Sequence, residues 1–351
     1  MPPRQSSCYS PGGGVRNRLA VRETTKRILV TGATGFIGRH VVPALLDGGY
    51  DLGLSMRGDA ACLADWRTSS RVVLHRVDDL AVDDLRPLFA EVDAVVHLAG
   101  LASGPSEADA LFERTNVAAT ERLARAARSA GARTFIHMSS VMAVSPSVAA
   151  AIIDDSTVPA PASAYGRSKR RSETVLRRAF SAAGLGVSLR LPLVIGGDAK
   201  GNWARLQALA ASGVPLPFAS IGGLRSLLPV EFLARIIARL CRIEPQAHLS
   251  GEYCVAATTP IDLPGMIRQL RAGMGLPPRL FRCPPGLLRV VGAATGFGRQ
   301  LASLSGPLRV DPSRFLSTFD IAEELEVGEA IRRSGAAYRA RRRGGMAAVA
   351  P

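Results

Sequence analysis

The sequence predicts an α/β protein: a doubly wound parallel sheet with a smaller carboxy-terminal lobe. Three observations carry that reading. Short β-rich runs alternate with helix-length amphipathic stretches from Arg27 to Leu191, as in sheets covered on both faces by crossover helices. A glycine-rich turn, "TGATGFIG", directly follows the first run and opens the first helix. Beyond Leu191 the alternation gives way to Gly/Pro-rich segments such as "LPLVIGGDAKGNW" and "GVPLPFASIGG".

Taken in order, the expected strands are residues 28–31, 51–56, 72–75, 94–99, 134–139 and 186–191, each a short β-rich run. Helical patterns fill 36–47, 107–130 and 163–183. In the second part, helices are expected at 230–243 and 263–273 and a strand at 251–256, and some strands of this part can return to the main sheet. The expected division is a flexible basic leader (1–25), a dinucleotide-binding unit (26–190), a substrate lobe (191–335) and a disordered basic tail (336–351).

Composition narrows the function classes. With 47% hydrophobic residues the chain reads as globular. No apolar run reaches the ~18 residues of a membrane span, since the longest, 287–302, is broken by Arg289 and Arg299. Residues 1–25 lack the apolar centre of a secretory signal, so the cytoplasm is the expected location. The five cysteines form no C-x-x-C, and the five histidines are dispersed, with His97 and His137 in strand-like runs. A metal site is therefore not expected. Net charge is +15, of which residues 1–27 hold +5 and 332–351 hold +6. Only Tyr9 and Tyr338 lie among those charges, too few for a base-stacking surface. Nucleic acid is not an expected partner, and weak contact with anionic lipid is the remaining option.

Gly32, Gly35 and Gly38 space the turn as G-x-x-G-x-x-G. Such a turn presses the amides around Thr34, Phe36 and Ile37 toward a pyrophosphate at a helix N-terminus. A second constellation is Tyr165 and Lys169 in "AYGRSKRR". They stand four apart on an expected helix, one turn from each other on one face. Only three of the 44 basic residues are lysines, and Lys169 is flanked by arginines. A compact ammonium stabilises a phenolate better than a planar guanidinium can. The pair therefore suits proton transfer at a carbinol undergoing hydride chemistry.

With these motifs the chain resembles the extended short-chain dehydrogenases/reductases, the NAD-dependent epimerase/dehydratase family with a Rossmann-like fold, over roughly residues 27–320. The resemblance adds roles. Asp78 and its neighbour Asp79 would receive the adenine amino group. Leu98, Ala99 and Gly100 of "VVHLAG" would lie along the cofactor, and Asn116 of "TNVAAT" would serve it from the following helix. Ser140 would complete a catalytic set with Tyr165 and Lys169, with Ser139 beside it near substrate. Members preferring NAD usually carry Asp at the end of the second strand; here Met56 and Arg57 stand there, so NADP is favoured over NAD, with Arg39 assisting Arg57 at the 2′-phosphate. "KGNWARL" and "LRSLLPVEFLARII" resemble UDP-sugar 4-epimerases and 4-keto-sugar reductases. That implies Asn202 and Arg225 as contacts of a nucleotide diphosphate, and Arg190 as structural. The resemblance also implies a homodimer through the helices at 107–130 and 163–183. Three readings stay open: a UDP-sugar 4-epimerase, an NADPH-dependent reductase of a UDP-4-keto-6-deoxy amino sugar, and a catalytically silent dinucleotide-binding subunit.

Overall fold

The computed structural model describes residues 27–58, 66, 68–103, 109–180, 184–284, 306–322 and 326–347, with side chains as far as Arg343. The basic leader and the apolar run at 287–302 lie outside the described residues.

Arg27–Thr31 forms β1, fully buried after its first residue. Its chain turns through the glycine loop into α1, Gly38–Asp47. Two further strands, β2 (Asp51–Met56) and β3 (Val72–Arg76), build outward from β1. On the other side stand β4 (Val92–His97) and β5 (Thr134–Ser140), joined by α2 (Asp109–Phe112), a π-helical turn over Glu113–Ala118, and α3 (Ala119–Ser129). After a short β6 (Ile152–Ile153), α4 spans Ala164–Phe180 and leads to β7, Leu185–Leu191. The main sheet is parallel throughout, in the order β10-β7-β5-β4-β1-β2-β3. Its β10, Gly251–Cys254, comes from beyond residue 190 and pairs with β7. One strand of the second part thus returns to the main sheet, and it ends at Cys254 rather than at Ala256.

The second lobe begins with β8 (Leu193–Ile195), which pairs with β9 (Leu227–Pro229). Between them α5, Gly201–Ala211, forms where the sequence reading found only irregular chain. Helix α6, Val230–Arg242, packs on α1 and joins the main core through Phe232, Leu233 and Ile237. Helix α7, Leu263–Gly273, is capped by the Asp262 carboxylate on the Gly265 amide. Then come β11 (Arg309–Val310), paired with β6, and α8, Ser313–Phe319.

The carboxy-terminal tail corrects the sequence reading. It forms α9, Val327–Ala347, and packs along α7. Gly335 has no Cβ to strike the Leu270 carbonyl, and Gly273 none to strike that of Arg332. Two close backbone approaches thus seat one helix on the other. Val327, Ala330 and Ile331 enter the core of the second lobe, and the Trp203 indole donates to Ser334 Oγ at 2.9 Å.

Candidate active site

The site forms at the carboxyl ends of β1, β4 and β5, where open parallel sheets take their ligands. Gly32 has φ +73°, and a Cβ there would stand 2.7 Å from the Ala99 amide nitrogen. The loop after β1 therefore lies directly on "LAG", held by Leu98 N–H donating to Thr31 O at 3.1 Å. Gly38 opens α1 with no room for a Cβ against the Gly32 and Ala33 carbonyls. A Cβ on Gly100 would approach Asn116 Oδ1 at 3.1 Å and Lys169 Nζ at 3.3 Å. These cradles fit a dinucleotide: glycine backbone for the pyrophosphate, and at Gly100 a ledge that carries no side chain beside Asn116 and Lys169.

Ser140 ends β5, where its hydroxyl accepts from the Met142 amide at 3.2 Å and stands near enough to the Tyr165 phenol to act on its pKa. Gly166 explains how Tyr165 reaches it, because any Cβ there would collide with the Met142 carbonyl. The first turn of α4 can therefore press onto the turn Val141–Ala143 that follows Ser140. Phe112 packs on the Tyr165 ring at 6.0 Å between centroids. Lys169 is buried and donates to Met138 O at 2.8 Å.

Electrostatics at this set differ from the simple expectation. Burial pushes the Tyr165 phenol above its ordinary pKa, and the Ser140 hydrogen bond opposes that shift. Burial pulls Lys169 down to about 8, and the Glu173 carboxylate partly restores it. For both groups desolvation is the largest cause, and it favours the neutral form of each.

Asn116 sits in the π-helical turn, a local widening of the kind often found at functional sites. Its Oδ1 accepts from Leu101 N at 2.8 Å, and its Nδ2 donates to Leu101 O and Ser168 Oγ at 3.0 Å each. It clamps the chain after β4 to α4. His97 bridges Thr31 and Thr120 at 2.7 and 3.0 Å and stacks on His137. Burial drives His97 to about 3, so it stays neutral.

Several expected residues take other partners. Ser139 was expected beside substrate; its hydroxyl instead donates to Glu173 Oε1 at 2.7 Å. Successive strand residues face opposite sides, so Ser139 and Ser140 cannot share one role. Arg39 does not join Arg57, because Asp198 holds it at 2.7 Å together with His40 at 2.9 Å. The Asp79 carboxylate caps the Ala81 amide at 2.8 Å and pairs with Arg114, leaving Asp78 facing the Gly58 amide at the end of β2. Arg225 is buried, with its terminal nitrogens on Gly306 O (2.6 Å) and Ser147 O (3.2 Å) and its Nε without a partner. Burial draws its pKa down to about 10. Asn202 lies half-buried in the first turn of α5. Arg57 is exposed at the end of β2.

The sequence reading missed Glu173. This wholly buried carboxylate takes both arms of Arg190 at 2.9 and 3.0 Å and Arg170 at 3.0 Å. Its spacing was a usable signal, since Tyr165, Lys169 and Glu173 repeat every four residues along one helical face.

Fold and site together define an NAD(P)-dependent enzyme of the extended short-chain dehydrogenase/reductase type. Residues 28–237 match the sequence model of the NAD dependent epimerase/dehydratase family, and the chain belongs to that family. A UDP-glucose 4-epimerase of Vibrio cholerae is 26% identical over 326 residues, covering 90% of this chain and 97% of that protein. A ceramide reductase of Caulobacter vibrioides is 31% identical over 264 residues, covering 74% and 75%. Among solved structures, the UDP-N-acetylglucosamine 4-epimerase from Bacillus cereus superposes with TM-score 0.70 at 19% identity, covering 90% of this chain and all of that one. That from Methanobrevibacter ruminantium M1, in complex with UDP-N-acetylmuramic acid, gives 0.71 at 20%, covering 90% and 99%. At these identities the two structures speak to fold.

Proposed function

We propose that the protein is a UDP-sugar 4-epimerase, with UDP-glucose or a UDP-N-acetylhexosamine as substrate. The observation that carries the proposal is the convergence of Ser140 and Tyr165 with a buried Lys169 whose Nζ lies beside Gly100. Similarity to the Vibrio cholerae 4-epimerase along nearly its whole length supports the choice of substrate.

The bound nicotinamide would supply a hydride acceptor and donor at the sugar C4. This chain's residues do the rest. Tyr165 Oη takes the C4 hydroxyl proton as the carbon is oxidised and gives it back as the carbon is reduced. Ser140 Oγ holds the reacting oxygen against Tyr165, and the Lys169 ammonium favours the phenolate while it lasts. Asn116 and the Leu101 backbone keep the ledge beside Lys169 in place.

A second reading, an NADPH-dependent carbonyl reductase, is favoured by Met56 and the exposed Arg57 where an acidic residue would hold an NAD ribose. The similarity to a ceramide reductase points the same way. One assay separates the two. Purified protein is given UDP-glucose or UDP-N-acetylglucosamine with NAD, and products are resolved by chromatography. An equilibrium mixture of C4 epimers with no net cofactor change is the expected result. No epimer, but stoichiometric NADPH oxidation with a keto substrate, would replace the first reading by the second. Tyr165→Phe should lower turnover by about 10²–10⁴-fold, and undiminished activity would remove Tyr165 from the mechanism.

A further inference from the structure

The carboxy-terminal helix leaves a feature that the hydride chemistry does not use. A cleft of about 180 Å³ opens between the ends of α5, α7 and α9. Ala211, Met274, Leu276 and Tyr338 form its apolar part, and Arg339, Arg342 and Arg343 complete the lining. The three segments that meet there, 200–226, 263–284 and 330–347, contain no aspartate or glutamate.

Pairing differs sharply along α9. Arg332 and Arg333, in its first half, pair with Glu329 at 2.8 and 3.1 Å. Among the described residues no carboxylate pairs with Arg339, Arg341, Arg342 or Arg343. The last three are exposed. On the loops that follow α5 and α7, Val214 and Phe281 are each about half exposed, at 52% and 50%. Arginines with no carboxylate partner among the described residues around an apolar cleft, with half-exposed apolar side chains on the loops that adjoin it, complement a surface that offers phosphate above hydrocarbon. A base-stacking surface would need more aromatic side chains than Tyr338 and Phe281 supply.

We infer that the Arg339–Arg343 end of α9, with its cleft, docks the protein on an anionic lipid bilayer, the arginines taking lipid phosphates. This inference is independent of which reaction the active site performs. It also differs from diffuse attraction by basic tails, because the charges stand on a helix fixed to the second lobe.

The test is co-sedimentation of the full chain with vesicles of phosphatidylglycerol in phosphatidylcholine, and with phosphatidylcholine alone. Binding is expected only to the former, reversed by high salt and not competed by millimolar inorganic phosphate. Each basic residue is worth about fivefold in partitioning near such a surface, so R341E/R342E/R343E should weaken it at least about 100-fold. R342S/R343S, the milder change, should cost about 25-fold. Both should keep the wild-type far-ultraviolet spectrum and melting temperature. The leader variant R16E/R18E/R22E should retain most binding. The inference is overturned by equal binding to phosphatidylcholine, by unchanged binding of the α9 variants, or by loss in the leader variant alone. It is also overturned if phosphate competes away the interaction, or if duplex DNA is bound and vesicles are not.

Discussion

Lys169 is held in the body of the protein at a cost in stability. Its pKa falls from an ordinary 10.5 to about 8 because burial disfavours the ammonium, against the pull of Glu173. The shift corresponds to a penalty of at most about 3 kcal/mol at neutral pH. Between about pH 8 and 10.5 the unfolded chain binds more protons here than the folded one, so the penalty shrinks as pH rises through that window. Lys169→Met should therefore be more stable than the wild type at pH 7, by about 1–2 kcal/mol after the Met138 carbonyl loses its donor. The same variant should be nearly inactive. Urea titrations at pH 7 and pH 10 check the sign: the gain must diminish at the higher pH, and a constant difference would mean that Lys169 is not the titrating cause. Much of this was legible in "AYGRSKRR", because helical spacing fixes which residues share a face. Ser139, Arg39 and Arg225 were not. Their roles depend on Glu173, Asp198 and the carbonyls of Ser147 and Gly306, all distant along the chain.

Among the elements, α4 and α9 show how glycine places a helix. Gly166 lets α4 touch the turn after Ser140, which sets Tyr165 against that serine. Gly335 does the same for α9 on α7. Gly335→Leu would drive a side chain into the Leu270 carbonyl and lift Ile331 and Ser334 from the second lobe. A loss of about 2–4 kcal/mol is expected, read as a lowered thermal midpoint, with Trp203 fluorescence shifting red as its Ser334 partner leaves. A variant as stable as the wild type would show that α9 is not part of the core. The sequence reading passed over α9 because its arginine-rich half resembles a solvated tail. The apolar positions Val327, Ala330, Ile331 and Tyr338 carried the helical signal.

For the whole molecule, no described helix is long and apolar enough to cross a membrane. We also propose a homodimer through α3 and α4, as the family resemblance implies. Around those helices the side chains are ion-paired: Glu121 with Arg125 on α3, and Arg167 and Arg171 of α4 with Asp109 and Glu113. These pairs lie within one chain and leave the faces of α3 and α4 free of unmatched charge there. Light scattering should report a dimer, and a monomer at every protein concentration tested would refute it.

By itself the sequence determined the parallel sheet, the glycine turn, the Tyr165–Lys169 pair and the family they define. Each is written in local spacing, where strand and helix periods fix which side chains share a face. The tertiary structure decided which charges are spent and which remain available. Asp198 neutralises Arg39, Glu173 gathers Ser139 and Arg190, backbone carbonyls hold Arg225, and Arg341–Arg343 meet no carboxylate among the described residues. Partners of that kind are brought together by folding across tens of residues, and the spacing of a single segment does not encode them.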